Sequence, residues 1–190
     1  MTQYTRPSGD VSIGSWVDSD DMYSDLFAYI NSPTLNLDTD ATYIYLDQSM
    51  MDDTPALFYC SGSPDHTITD PESSADHNVV YRGWAEEGSP GMGYGTMVAK
   101  LYEGATLRGT DPTVRDLSAT RTTFTWPLST AQANSITDYN ILRLEIYAQD
   151  PSMVGPIQYC SWAYFSCPDA PSPPPAATQN GSAFMLFLDT

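Results

Sequence analysis

Apolar and polar side chains alternate at every second position through most of this chain, and that period confines it to strands. In "NILRLEIYA", Leu142, Leu144, Ile146 and Ala148 make one face while Arg143 and Glu145 lie on the other. That is the pattern of a strand with one side on a core and one toward water. In "ATYIYLD", Tyr43 and Tyr45 oppose Thr42, Ile44 and Leu46. "PALFYCSG", "NVVYRGWAE", "GTMVAKLYEG", "TTFTW" and "QYCSWAYFSC" read likewise, with turn residues between them. "YEGATL" is a hairpin candidate in which Gly104 supplies the positive φ. Helical spacing occurs twice and briefly. "DMYSDLFAYIN" places Met22, Leu26, Tyr29 and Ile30 on one side, with Asp20 or Asp21 as a cap; "LSTAQANSITDY" starts at a Ser129 or Thr130 cap. Eight or more short strands with helices only as connections predict an all-β protein, an antiparallel β-sandwich of jelly-roll type. At 190 residues the chain holds one such domain plus appendages.

The sandwich is expected to span residues 1–168, ending where Pro168 closes "CSWAYFSCP". Residues 169–182 carry four of the fifteen prolines among Ser, Ala, Gly and Asn, the composition of a semi-rigid spacer. Residues 183–190 follow as "AFMLFLDT", too short an apolar run to span a bilayer but the length of a buried strand. Phe184, Leu186 and Leu188 share one face of such a strand, and Ala183, Met185 and Phe187 the other. Burying Phe184, Met185, Leu186, Phe187 and Leu188 is worth at most on the order of 10 kcal/mol before ordering entropy is subtracted. Left bare, the run would aggregate. These five residues are therefore the candidate subunit-interaction site, an arm that adds a strand to a neighbouring chain. From Asp169 the 22 remaining residues reach roughly 70 Å when extended.

Charge narrows the partners. With 24 acidic side chains against one lysine and six arginines, the formal charge is -17, which argues against nucleic acid and against anionic membrane surfaces as partners. The N-terminal stretch "MTQYTRPSGDVSIGSW" lacks the order of a secretory signal, so synthesis in a cytoplasm is expected. Cys60, Cys160 and Cys167 have no metal-binding spacing and read as buried thiols. Cys160 and Cys167 lie an odd number of positions apart, which on a regular strand sends them to opposite faces.

No pattern of catalytic or cofactor chemistry stands out. Asn36, Asp38 and Asp40 alternate as the first ligands of a calcium loop do, but Ala41 takes the glycine position and Asp47 the glutamate position, so an acidic turn is expected. His66 and His77 lie in "SPDHTITDPESSADHNVV" and read as solvated loop residues rather than as a metal or acid–base pair. No G-x-S-x-G, H-E-x-x-H or phosphate-cradling loop occurs. The expectation is a non-enzymatic chain with no catalytic residues, no metal and no cofactor. Trp16, Trp84, Trp126 and Trp162 all lie in strand-like segments and are expected in the core or a subunit contact; Trp84, sharing a face with Arg82 and Glu86, is the candidate surface aromatic.

The order of "RPSGDVSIGSW", "LFAYIN", "DTDATYI", "VVYRGWAE", "AKLYEGATLRG", "TTFTWPLSTAQANSITDYNILRLEIYA" and "SWAYFSCP" resembles virion structural proteins of tailed bacteriophages over roughly residues 6 to 168. The most specific part is "LSTAQANSITDYNILRLEIYA"; the "SPDHTITDPESSADHN" insertion and the arm after Pro168 depart from the pattern. The resemblance implies a jelly-roll or related sandwich module located in the virion, with no catalytic residues. The expected partners are other virion proteins, either the major capsid protein or neck and tail proteins, together with self-association. A capsid decoration (cement) or head-associated protein fits an acidic body with a tying arm. The alternatives are a neck or tail adaptor and a carbohydrate-binding or receptor-binding module.

Overall fold

The alternating segments become strands. The computed structural model describes residues 2–20, 25–30, 42–46, 55–60, 68–86, 93–149 and 157–172. The spacer beyond residue 172 and the arm candidates at 184–188, the acidic turn at 36–40 with Asp47, and His66 lie outside them. In chain order the strands are β1 (Thr2–Thr5), β2 (Gly9–Ser12), β3 (Trp16–Asp18), β4 (Ile44–Leu46), β5 (Ala56–Tyr59), β6 (Asn78–Ala85) and β7 (Thr96–Glu103). They continue with β8 (Thr106–Thr110), β9 (Arg115–Asp116), β10 (Thr122–Pro127), β11 (Leu142–Gln149) and β12 (Gln158–Pro168). Two helices, α1 (Leu26–Ile30) and α2 (Thr130–Asn134), and a 3-10 turn at Tyr139–Ile141 connect them.

Two antiparallel sheets pack face to face, so the chain is an all-β sandwich. The first has the order β10-β6-β12-β4-β3, with β1 paired to the far end of β12; the second runs β2-β5-β11-β7-β8, with β9 beside β7. The inward faces supply the core. Met97, Ala99 and Leu101 of β7 and Leu142, Leu144 and Ile146 of β11 meet Val79, Tyr81 and Ala85 of β6 and Ala163 and Phe165 of β12, with Trp16 and Trp126 buried among them. The hairpin glycine is as expected, Gly104 taking φ 58° between β7 and β8.

Three local expectations are corrected. Cys160 and Cys167 face the same core, because a bulge between Cys160 and Trp162 shifts the register by one and restores the facing of the remainder of β12. Both stay free thiols, since seven residues of extended strand separate them by about 23 Å. The N-terminus of α1 is held from a distance, Asp10 of β2 accepting from the Leu26 and Phe27 amides at 2.8 and 2.9 Å, whereas Asp20 accepts from the Tyr29 hydroxyl. The outer face of β11 is not open to water at Glu145, which is buried and takes hydrogen bonds from Lys100 and Tyr102.

The connection from β10 to β11 is tied down by polar groups. Ser129 caps α2 in a reciprocal capping box with Gln132, and Asp138 caps the 3-10 turn through the Asn140 amide. The buried Glu103 carboxylate, at the end of β7, accepts from the Thr137 amide (3.0 Å), the Thr137 hydroxyl (2.6 Å), the Asp138 amide (3.0 Å) and Arg108 Nε (2.8 Å). Burial alone would raise its pKa; the bonds from Thr137 and then Arg108 outweigh it and hold the group below its ordinary value. Folding therefore lowers this pKa, so the stabilisation is complete above the ordinary glutamate range and is lost as pH falls through the depressed value. Glu103→Gln turns one acceptor into a donor facing donors and should cost about 1–3 kcal/mol at neutral pH. Urea unfolding across pH should show the wild-type advantage vanish in acid; a pH-independent difference would reject the account.

Candidate functional site

The outer face of the first sheet carries most of the molecule's unusual chemistry. Val80, Arg82 and Trp84 of β6 point there, opposite their partners Tyr164, Trp162 and Tyr159 of β12, and Tyr43 and Tyr45 extend the face across β4. Trp84 stacks on Tyr159 with ring centroids 5.0 Å apart and planes 4° from parallel. Tyr43 meets both edge-on at 5.7 and 5.2 Å, and the Arg121 guanidinium lies over the Trp84 ring at 4.6 Å. Trp84 thus shares a face with Arg82 as read from sequence, but it is only 5% exposed. Its two ring faces are taken by Tyr159 and Arg121, which removes it as a surface aromatic. Trp162 stacks on Tyr164 at 5.8 Å on the same face, whereas Trp16 and Trp126 lie in the core between the sheets.

Below this aromatic field, where β1 runs beside the end of β12, a cleft of about 280 Å³ is lined by Thr2, Tyr4 and Arg6 on one side and Tyr164 and Ser166 on the other. The five residues converge because alternate positions of two paired strands point the same way: Tyr4 is the register partner of Ser166, and Thr2, Tyr4 and Arg6 are spaced by two. The volume is near the lower end of small-ligand sites.

Arg6 sets the electrostatics of the cleft. It is 3% exposed, and its Nε and Nη1 have no hydrogen-bond partner. Its guanidinium lies over the Tyr4 ring at 5.4 Å. Burial pulls its pKa down, and Tyr4 and Tyr164 partly offset that. Other cations are matched to carboxylates: Lys100 to Glu145 at 2.5 Å, Arg108 to Glu103 at 2.8 Å and Arg115 to Asp111 at 2.9 Å. Arg143 likewise leaves Nε unbonded and lies over Tyr59 at 4.9 Å. A buried guanidinium without an anion is costly, and here the Tyr4 ring offsets part of that cost.

His77 is corrected as well. It is 1% exposed rather than solvated, packed against Phe165 and Tyr139. Its Nδ1 lies 2.8 Å from the Ala75 carbonyl, which can only accept, so Nδ1–H donates, and Nε2 pairs with the Tyr139 hydroxyl at 2.8 Å. Both nitrogens are used, and the histidine is structural. Among the described residues no group of three or more His, Cys, Asp or Glu side chains could hold a metal ion.

No family model matches the chain, and no curated protein matches it in sequence. Among solved structures it is similar to one titled "Crystal structure of Agl-KA catalytic domain", at 13% identity and a TM-score of 0.38. That likeness covers 93% of this chain and 29% of the other, so this chain spans under a third of that protein's length. At this distance it bears on neither activity nor substrate.

Trp84→Ala should behave as a packing loss rather than as removal of a surface ligand contact. About 3 kcal/mol of stability should disappear in urea unfolding; a change within about 0.5 kcal/mol would return Trp84 to the exposed class.

Proposed function

We propose that this protein is a non-enzymatic virion structural protein of a tailed bacteriophage, a capsid decoration (cement) or head-associated protein that ties neighbouring subunits together through its C-terminal arm. Strand order is the observation that carries the reading. Taking the eight strands β4 to β8 and β10 to β12, one sheet has the order β4-β12-β6-β10 and the other β5-β11-β7-β8. Successive strands alternate between sheets except at the β7–β8 hairpin, as two interleaved Greek keys do, which supports a jelly roll, an architecture used in viral capsid and lectin domains. Architecture alone assigns no function. The segments resembling virion proteins fall on this frame, and "LSTAQANSITDYNILRLEIYA" accounts for the capped helix, the Glu103 clamp and β11. A formal charge of -17 favours an outward position, away from packaged DNA.

The exit point of the spacer favours an arm that grips a neighbour. Pro168, the last residue of β12, pairs with Thr2 at the start of β1, so Asp169 leaves the sheet at a corner of the sandwich. A chain ending at Asp169 should keep its melting transition and lose self-association or attachment to the shell, as read by light scattering and particle binding. Unfolding of the truncated body with unchanged stoichiometry would make the arm a core strand. Antibody labelling of intact particles should place many copies over the head. Label at one vertex or along the tail would instead identify an adaptor or receptor-binding part, and absence of label would overturn the virion reading.

A further inference from the structure

Exposed apolar side chains collect at one corner of the second sheet. Among the described residues five large hydrophobics are exposed, and three of them, Tyr59, Ile141 and Leu107, lie there at 39%, 44% and 50%. Cross-strand register builds the row. On the outer face Tyr59 of β5 pairs with Arg143 of β11, Arg143 with Tyr102 of β7, and Tyr102 with Leu107 of β8. Adjacent strands stand about 4.8 Å apart, so the row runs about 14 Å across the sheet. Ile141 closes its end: its carbonyl accepts from the Gly104 amide at 2.9 Å, and its Cδ1 lies 3.5 Å from where a Gly104 side chain would begin. Tyrosine, arginine and aliphatic groups together are the composition of the centre of a protein interface rather than of an ordinary surface.

Charge selects the partner. The carboxylate of β11, Glu145, is buried and already engaged by Lys100 and Tyr102. Arg143 lies over Tyr59 at 4.9 Å and leaves Nε unbonded, with no carboxylate partner among the described residues. Across a two-fold axis the corner would meet a second Arg143 and no carboxylate for it, so its counterpart is a different face. The chain itself supplies acids in excess, 24 against seven cations. Asp70, Glu72 and Asp76 are all exposed on one loop. That loop has a fixed shape: Asp70 accepts from the Glu72 amide at 2.8 Å, Ser73 from the Ala75 amide at 3.2 Å, and the Gln3 side chain from the Thr69 amide at 2.9 Å. A loop already ordered loses little freedom on docking.

We propose that this corner docks a second copy of the chain, Arg143 donating to the carboxylates of that copy's 70–76 loop while Tyr59, Ile141 and Leu107 pack around the contact. The contact is separate from the arm, but it rests on the arm-exchange function proposed above for bringing the copies together. A row of this width covers far less than the roughly 800 Å² per partner of a stable interface, so the corner alone holds a neighbour weakly. A tether supplies the effective concentration that the corner lacks, and the corner fixes how the tethered copies sit. Tyr59 and Tyr102, the register partners of Arg143 on its two sides, lower the local dielectric and so strengthen the charge contact.

The test uses the full-length chain with Arg143→Glu, Glu72→Arg or Leu107→Asp. Each variant should weaken self-association in sedimentation equilibrium about tenfold while melting close to the wild type. Mixing Arg143→Glu with Glu72→Arg should restore association between unlike chains, because the exchanged charges meet across the junction. Restoration on mixing establishes a contact between chains. If all three variants associate like wild type while a chain ending at Asp169 does not, the corner contact falls and the arm-exchange function stands. If the truncated chain associates like wild type while Arg143→Glu does not, the arm-exchange function falls and the corner contact stands. A wild-type chain that stays monomeric would overturn both. Loss in Arg143→Glu and Leu107→Asp but not in Glu72→Arg would overturn the loop as counterpart, and loss that only follows lowered melting temperatures would overturn the contact. Binding of polygalacturonate that Arg143→Glu abolishes, beside unchanged self-association, would make the corner a glycan site instead.

Discussion

The sandwich depends on one strand. β12 is eleven residues long and hydrogen-bonds to β6 along one side and to β4 and β1 in succession along the other. A strand partnered along one side and over parts of the other, with most of its side chains buried, has no place for charges, and none of its eleven residues is charged. The bulge at Ser161 is what makes the length usable. Without the extra residue, either the core set Ala163, Phe165 and Cys167 or the outer set Trp162, Tyr164 and Ser166 would fall out of phase with Cys160 and Tyr159.

A second constraint is set by charge. A chain with 24 carboxylates and seven cations cannot pair each acid with a base, and the carboxylates drawn inward take amides and hydroxyls in place of a cation or beside one. Asp10 takes two backbone amides of α1, and Glu103 takes two amides, a hydroxyl and one guanidinium nitrogen. Asp111 takes the Tyr81 hydroxyl, the Thr113 amide and Arg115, whose other nitrogen reaches the Thr125 carbonyl. These acids work as fixed acceptors that fasten loops to strands. Asp111 in particular joins Tyr81 of the first sheet to Arg115 of the second, tying one margin of the sandwich through side chains.

This division explains what the sequence disclosed. The alternating segments that became β4 to β7 and β10 to β12 were legible from their period; β11 is the clearest case. β1, β2 and β3 are three or four residues long and sit among Gly, Ser and Pro, without the apolar alternation that marked β4 and β5. The Asp10 cap, sixteen positions from Leu26, and the Glu103 clamp, more than thirty positions from Thr137, are contacts made by the fold rather than by neighbours in sequence. His77 and Trp84 failed for a related reason: loop composition and strand facing predict exposure only until another element covers them, here Tyr139 and Phe165 for the histidine and Tyr159 and Arg121 for the tryptophan. The cleft was hidden most deeply. Thr2, Tyr4 and Arg6 do alternate, but their convergence with Tyr164 and Ser166 exists only once the first and last strands pair.

Arg6 is where the two constraints meet. Lys100, Arg108 and Arg115 are each matched to a carboxylate, whereas Arg121 and Arg6 lie over aromatic rings. To bury one guanidinium with two nitrogens unbonded while 24 acids are available within the same chain forgoes stability that a nearby carboxylate would supply. Among the described residues Arg6 has instead the face of the Tyr4 ring, a cation–π contact that offsets part of its desolvation.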